Sequence, residues 1–293
     1  MDALLLIAVI TLALMGGRAS QPAADPVNLA YSFADANPGP ARYAQAGAKD
    51  QGDFKLVFEP KSTFHTGSAN CLVGIDQPGI ECIIDSLNER IALPYDIIIT
   101  FKDDEGSSAF YDDKAHRITL CYDLLDDYYD LFSDKIKDAA ALNRAVSSTI
   151  VHTLLHEMGH ALIDAWNLPI TGKEEDAADQ LSTLILIEET EEGEQIALDS
   201  ALSFRFYADF DIGEEPPYWD EHSLDQQRFY DILCLLYGHN PEKYAYLIMD
   251  GTLPPSRAEL CQEDYARLKQ SWQTLLAPFV QTPPTVVSKI RLR

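Results

Sequence analysis

The chain has 293 residues, with 47 Asp and Glu against 22 Lys and Arg, and the resulting net charge of −25 is spread along it. A surface this anionic repels phosphate backbones and anionic membranes and draws cations, which sets nucleic acid aside as a partner. After Met15 nothing approaches the roughly 18 consecutive apolar residues of a membrane span, so no stable membrane insertion of the mature chain is expected.

Ala3 to Met15 is an apolar run closed by Gly16-Gly17-Arg18-Ala19-Ser20, the length and small-residue exit of a secretory signal peptide over residues 1–19. Met1-Asp2 brings no Lys or Arg, so a retained anchor stays open, and no Cys follows the run to accept a lipid. Residues 20–52, rich in Ala, Pro, Asn, Asp and Gly without periodicity, read as a flexible lead-in. One folded domain is expected over 53–282, with a tail at 283–293.

Apolar, β-branched and aromatic runs predict strands at 54–59, 96–101 and 117–122, with a helix at 80–91 and a hairpin turn at Asp112-Asp113 after Ala109-Phe110-Tyr111. From about Ser133 the pattern turns helical, running through Ala139, Leu142, Val146, Ile150 and Leu154 to a stop at Asn167-Leu168-Pro169. Further helices are expected at 174–189, 196–209, 225–237, 241–249 and 256–275. A small mixed sheet followed by packed helices is an α+β layout.

Within the long helix lies His156-Glu157-Met158-Gly159-His160. Residues four apart stand about 40° from one another around a helix, so His156 and His160 can reach one ion. A Zn²⁺ held by two imidazoles and one further protein ligand keeps a position for water, whose pKa falls to about 7, and Glu157 is placed to take that water's proton. An amphipathic helix with two ordinary histidines would carry the same pattern. His152 extends the row by a turn, but an ion between His152 and His156 would leave Glu157 without its role as base. His152 is therefore read as a core histidine.

The third ligand is sought in Thr171-Gly172-Lys173-Glu174-Glu175-Asp176-Ala177-Ala178-Asp179. Thr171 and Glu174 have the spacing of a capping box, which would turn Glu174 back onto its own helix terminus and leave Glu175 free. Glu174 and Asp176 remain competitors, and acids also collect at helix N-termini because the dipole favours them. Glu175 and Asp179 lie at i, i+4 beside an apolar stripe of Ala178, Leu181, Leu184 and Ile185. This resembles the ExxxD element of gluzincin-type peptidases, which implies Glu175 as the zinc ligand and Asp179 as the partner that orients a ligand histidine.

Five cysteines, Cys71, Cys82, Cys121, Cys234 and Cys261, in a chain with an export signal predict disulfides, with at least one thiol left over. Cys234 with Cys261 is the preferred bridge, closing a loop of about 27 residues for which chain entropy gives about 3.5 kcal/mol. Cys71 with Cys82 is the shortest alternative loop, and Cys121 fits equally a buried free thiol.

Taken together, Ala109-Phe110-Tyr111, Ile118-Thr119-Leu120-Cys121-Tyr122, the helix 156–164, residues 174–179, the stretch from Tyr218-Trp219-Asp220-Glu221-His222 to Phe229-Tyr230, and the surroundings of Cys234 and Cys261 resemble a family of zinc metallopeptidases of bacterial envelopes, filed largely as a domain of unknown function. The resemblance covers most of residues 54–280 and implies a zincin-like fold, in which 117–122 would be the edge strand that pairs with an extended peptide, and a periplasmic or extracellular location. This chain departs from the family pattern at Gly106-Ser107-Ser108, where a Cys is often found. Ile163 and Trp166 stand where a metzincin would have Gly and a third His, which favours a glutamate ligand.

The sequence therefore predicts an exported, zinc-dependent metallopeptidase holding one zinc per chain through His156, His160 and Glu175, with Asp179 orienting a ligand and Glu157 as general base acting on a peptide or protein substrate. His222 is the candidate second donor to the oxyanion, ahead of Tyr111 and Tyr218, and Arg228 reads as a buried salt-bridge partner. The rival readings are a zinc hydrolase of non-peptide amides and a zincin-shaped binding or scaffold protein without turnover.

Overall fold

The computed structural model describes residues 49–60, 77–103, 108–190, 192–210 and 215–281. All of them lie in one compact unit, Ala44–Arg293. The expected signal peptide and tail, most of the lead-in, and Cys71 fall outside the described residues.

The apolar strand runs pair as expected into one four-stranded mixed sheet. In chain order it comprises β1 (Phe54–Phe58), β2 (Ile97–Lys102), β3 (Ala109–Asp112) and β4 (Arg117–Cys121), arranged β1-β2-β4-β3. β1 with β2 and β2 with β4 run parallel, while β3 with β4 is antiparallel with Tyr111 opposite Ile118. Ile97, Ile99, Phe101, Ile118 and Leu120 are fully buried, as expected for strands covered on both faces. Hydrogen bonding to this unit begins ahead of β1, where Gln51 N donates to Leu93 O at 2.8 Å.

The sheet order corrects one expectation. The strand at 117–122 is not an edge: β4 is paired on both sides, and the edges of the sheet are β1 and the four-residue β3. The reason is the tight turn at 113–116, where His116 takes a left-handed φ of 47° and folds β3 back along β4.

Helices make up the rest: α1 (Gln77–Asn88), α2 (Asp123–Ser133), α3 (Ala139–Trp166), α4 (Glu174–Glu189), α5 (Gly193–Phe210), α6 (Asp225–His239), α7 (Tyr246–Met249) and α8 (Pro255–Leu276). α2 was not anticipated, and the long helix starts at Ala139 instead of near Ser133. Asp138 breaks it there: its backbone is extended and its carboxylate accepts from Ala141 N, the usual N-cap arrangement. α3 ends as expected, with Asn167 left-handed at φ 48°. The expected helix at 241–249 shrinks to Tyr246–Met249, because 241–245 form turns.

α3 is the central element, packed on β3 and β4 on one side and on α2, α4 and α5 on others. Its residues from Ile150 to Ile163 are almost all buried, which is why it reads as apolar all round. α8 closes the layer against α6, and the expected bridge between Cys234 and Cys261 is present, with Cα atoms 5.0 Å apart. Beside it a side chain on Gly238 would meet the Cys261 carbonyl oxygen at 2.2 Å, so only glycine allows this approach of α6 to α8. Cys121 is buried, its Sγ 3.6 Å from Ser108 Oγ. Among the described residues no helix is long and apolar enough to cross a membrane.

Replacing both Cys234 and Cys261 by Ser should lower the unfolding free energy by about 3.5 kcal/mol, the loop-closure value for this separation. Urea titration of the wild-type and double-mutant proteins measures it.

Candidate metal centre

His156, Glu157 and His160 lie on one side of α3 at the floor of a cleft of about 650 Å³. One wall is β3 with Phe110 and Tyr111, and the other carries Glu174 and Glu175 of α4 and the Glu221-His222 segment. α4 approaches closely because Gly159 faces Ala178: a Cβ on Gly159 would sit 3.1 Å from Ala178 Cα. The two helices therefore cross with almost nothing between their backbones, and Glu175, one turn before Ala178, reaches over the histidines.

His156 Nε2 is 3.1 Å from His160 Nε2, and Glu175 Oε2 is 3.0 Å and 3.3 Å from the two. Ligands placed about 2.0–2.1 Å from a tetrahedral zinc stand roughly 3.3–3.4 Å from each other, so this triangle has nearly the size of one face of such a site. The protonation chemistry points the same way. His156 Nδ1 lies 2.8 Å from Asp179 Oδ1, and His160 Nδ1 lies 2.8 Å from Glu174 Oε1. Each ring can give its Nδ1 proton to a carboxylate, which turns both Nε2 lone pairs toward each other and toward an anionic oxygen. Such a set needs a proton or a cation at its centre.

Without a metal the protons take that role. Burial opposes charge on His156, yet its hydrogen bonds to Asp179 and Glu175 carry its pKa up to about 9. His160 is raised against its burial by Glu175 and Glu174. Burial also works against Glu175, but hydrogen bonds from His156, His160 and His222 hold its carboxyl far below the usual range. Glu157 is different: it is buried and its pKa is raised by that burial, against the opposing influence of His156, His160 and His222.

Asp179 joins the site to the next helix. Arg228 of α6 grips it with two hydrogen bonds, Nε to Oδ2 at 2.7 Å and Nη2 to Oδ1 at 2.8 Å, and stacks over Phe204 with 4.0 Å from guanidinium carbon to ring centre. Burial pushes the Asp179 carboxyl up, but Arg228 and His156 hold it well below its ordinary value. Arg228 is the buried salt-bridge partner that the sequence suggested. His152 is the expected core histidine, 3 % exposed, with Nε2 3.2 Å from Ser182 Oγ and its pKa lowered to about 4 by burial.

His222 enters the cleft from the other wall, its Nε2 3.0 Å from Glu175 Oε2. Its raised pKa has that carboxylate as the main cause. His156, Glu175 and His222 each offer one ligand atom, all within 4.8 Å of one another. Asp220 Oδ1 accepts from the His222 backbone N at 2.8 Å and lies 3.1 Å from its Nδ1. Lys173 pins the same segment by donating to the carbonyls of Asp220 at 3.1 Å and His222 at 3.0 Å.

The expected capping box is absent. Lys173 is the N-cap of α4 with no side-chain cap, and Glu174 turns to His160 because an imidazole N–H lies within reach across the helix pair. Asp176 lines a separate concavity of about 470 Å³ with Arg257 and Trp272, and Tyr218 is exposed and outside the cleft. Sequence reasoning missed Asp164, whose Oδ2 accepts from Tyr111 at 2.8 Å and from Tyr95 at 3.3 Å. It lies four residues after His160, so the helical spacing already put it on the cleft side of α3.

Arg228→Met leaves the Asp179 charge buried without its partner and should cost about 3–5 kcal/mol of stability. Denaturant unfolding at neutral pH checks this, with Gln226→Ala at an exposed position of the same helix as a control expected to lose less than about 1 kcal/mol.

No curated protein and no solved structure matches the chain. A family model does match, over residues 68–276, a span that contains every side chain of the cleft just described. By that match the chain belongs to the DUF4344 family, whose description is "Putative metallopeptidase".

Proposed function

We propose that this protein is an exported zinc metallopeptidase with His156, His160 and Glu175 as the metal ligands and Glu157 as the general base. The observation that carries the reading is the triangle of His156 Nε2, His160 Nε2 and Glu175 Oε2 at 3.0–3.3 Å, set beside a buried glutamate in an open cleft. A bound zinc ion would supply Lewis acidity, polarising a substrate carbonyl and bringing the pKa of water at its open position to about 7.

The other steps belong to the chain. Asp179 and Glu174 orient the two imidazoles through their Nδ1 atoms and strengthen them as ligands. Glu157, its affinity for a proton raised by burial, accepts a proton from the attacking water and delivers it to the leaving amine. His222 Nε2, facing the same space, donates to the oxyanion of the tetrahedral intermediate. An extended peptide pairs with the free edge of β3, the only strand edge among the described residues that borders the cleft. A free strand edge lying over the helix that carries both histidines supports the zincin-like reading of the fold. The Cys234–Cys261 disulfide is in keeping with an oxidising compartment and so with export.

Mass-spectrometric metal analysis of the purified mature protein should find about one zinc per chain, lost in Glu175→Ala and retained in Glu174→Ala. Metal-free wild type that takes up no zinc would remove the enzyme reading.

Glu157→Gln should keep zinc and fold yet cut peptide turnover by a factor of 100 or more, roughly the contribution of a general base. Undiminished hydrolysis by that variant, followed by mass spectrometry of peptide digests, would take Glu157 out of the mechanism.

A further inference from the structure

Apart from its three histidines, the lining of the cleft is one-sided in charge. Six of its residues are acids, Asp113, Glu157, Asp164, Glu174, Glu175 and Glu221, and among the described residues it has neither Lys nor Arg. A divalent cation at the centre would offset two of these charges, those of Glu175 and Glu157. Glu174 faces His160. Asp113, Asp164 and Glu221 remain exposed around the opening with no zinc-related task.

Asp164 is more than a member of an acidic patch. Its Oδ2 is held by two phenol hydroxyls, Tyr111 from the edge strand β3 and Tyr95 from the turn before β2. Tyr95 is itself stacked on His116, ring centres 3.8 Å apart, at the turn that ends β3. Tyr111 keeps its proton, since burial and the Asp164 charge both raise its pKa, and it therefore donates. The carboxylate is thereby fixed at the rim where β3 meets α3, while Oδ1 has no partner among the described residues. Neutral phenols fix its orientation without cancelling its charge, which leaves Asp164 able to receive a cation.

We infer that the cleft selects peptides with a positive charge next to the scissile bond, and that Asp164, oriented by Tyr95 and Tyr111, is the specificity-determining residue that receives it. This rests on the metallopeptidase reading above and names the substrate class of the same site. The cation is an ammonium or guanidinium group, from a Lys or Arg side chain or from a free peptide N-terminus. Anionic peptides are disfavoured by the same field, and because exposed charges are screened beyond about 8–10 Å in physiological salt, the preference weakens as salt rises.

The test uses the full mature chain carrying Glu157→Gln, loaded with zinc, and fluorescence anisotropy of labelled peptides that differ at one position only: Lys, norleucine or Glu, each with a free and an acetylated N-terminus. The Lys peptide should bind about fivefold tighter than the norleucine peptide and at least tenfold tighter than the Glu peptide, and Asp164→Asn should shrink both gaps. A gap that follows acetylation instead of the side chain assigns the cation to the N-terminus and still supports the inference. Equal binding of the Lys and Glu peptides together with no effect of acetylation overturns it, as does a gap unchanged by Asp164→Asn. Digestion of a mixed peptide library by zinc-loaded wild type separates the two readings: cleavage without preference for basic residues overturns this inference and leaves a peptidase, whereas neither binding nor cleavage of any peptide overturns both.

Discussion

Where α3 and α4 cross, Gly159 and Ala178 meet so closely that a Cβ on Gly159 would press the helices apart by a few tenths of an ångström, and the geometry of the cleft depends on that contact. Two histidines four residues apart on one helix can only offer two nitrogens; a third donor has to arrive from another element at a distance set by packing. Helices ordinarily pack about 8–10 Å apart, and small residues at the crossing bring them to the short end of that range. The glycine inside the pentapeptide is thus part of the site without touching a ligand, since it lets Glu175 reach the two imidazoles.

From that crossing a line of alternating charge runs outward. Glu175 faces His156, His156 faces Asp179, and Asp179 is clasped by Arg228 at the start of α6. Each link is partly or wholly buried, so none is screened as a surface pair would be, and each defines the protonation of its neighbour. The Glu221-His222 part of the same wall is held differently, by Lys173 donating to the carbonyls of Asp220 and His222. The α4 part of that wall is therefore fixed by packing and charge pairing, while the segment beside it is tied back by an ammonium group.

What could be read from the sequence was what is local. His156, Glu157 and His160, the Glu175 and Asp179 pair, and the helix over 174–189 follow from the 3.6-residue period, and the structure brings these side chains together. The α+β layout and the Cys234–Cys261 bridge were equally legible. What failed involved competition between distant partners. Glu174 left its expected cap for His160, an imidazole 14 residues upstream that no local rule weighs. The edge expected at 117–122 went to β3 because strand order depends on which neighbours pair, not on which run is most apolar. The role of Asp164 needed Tyr95, 69 residues earlier in the chain.

The position of Arg228 also has a temporal side. The ribosome delivers His156, His160 and Glu175 well before α6, so for some 50 residues of synthesis the nascent chain holds every donor proposed here for the metal but lacks the guanidinium that clasps Asp179. A fragment ending before α6 would leave Asp179 with His156 as its partner but without the guanidinium and the helix that packs over it. The pentapeptide and its glutamate thus do not form a detachable module, and the order of the chain lets a helix that emerges later complete the surroundings of side chains delivered earlier.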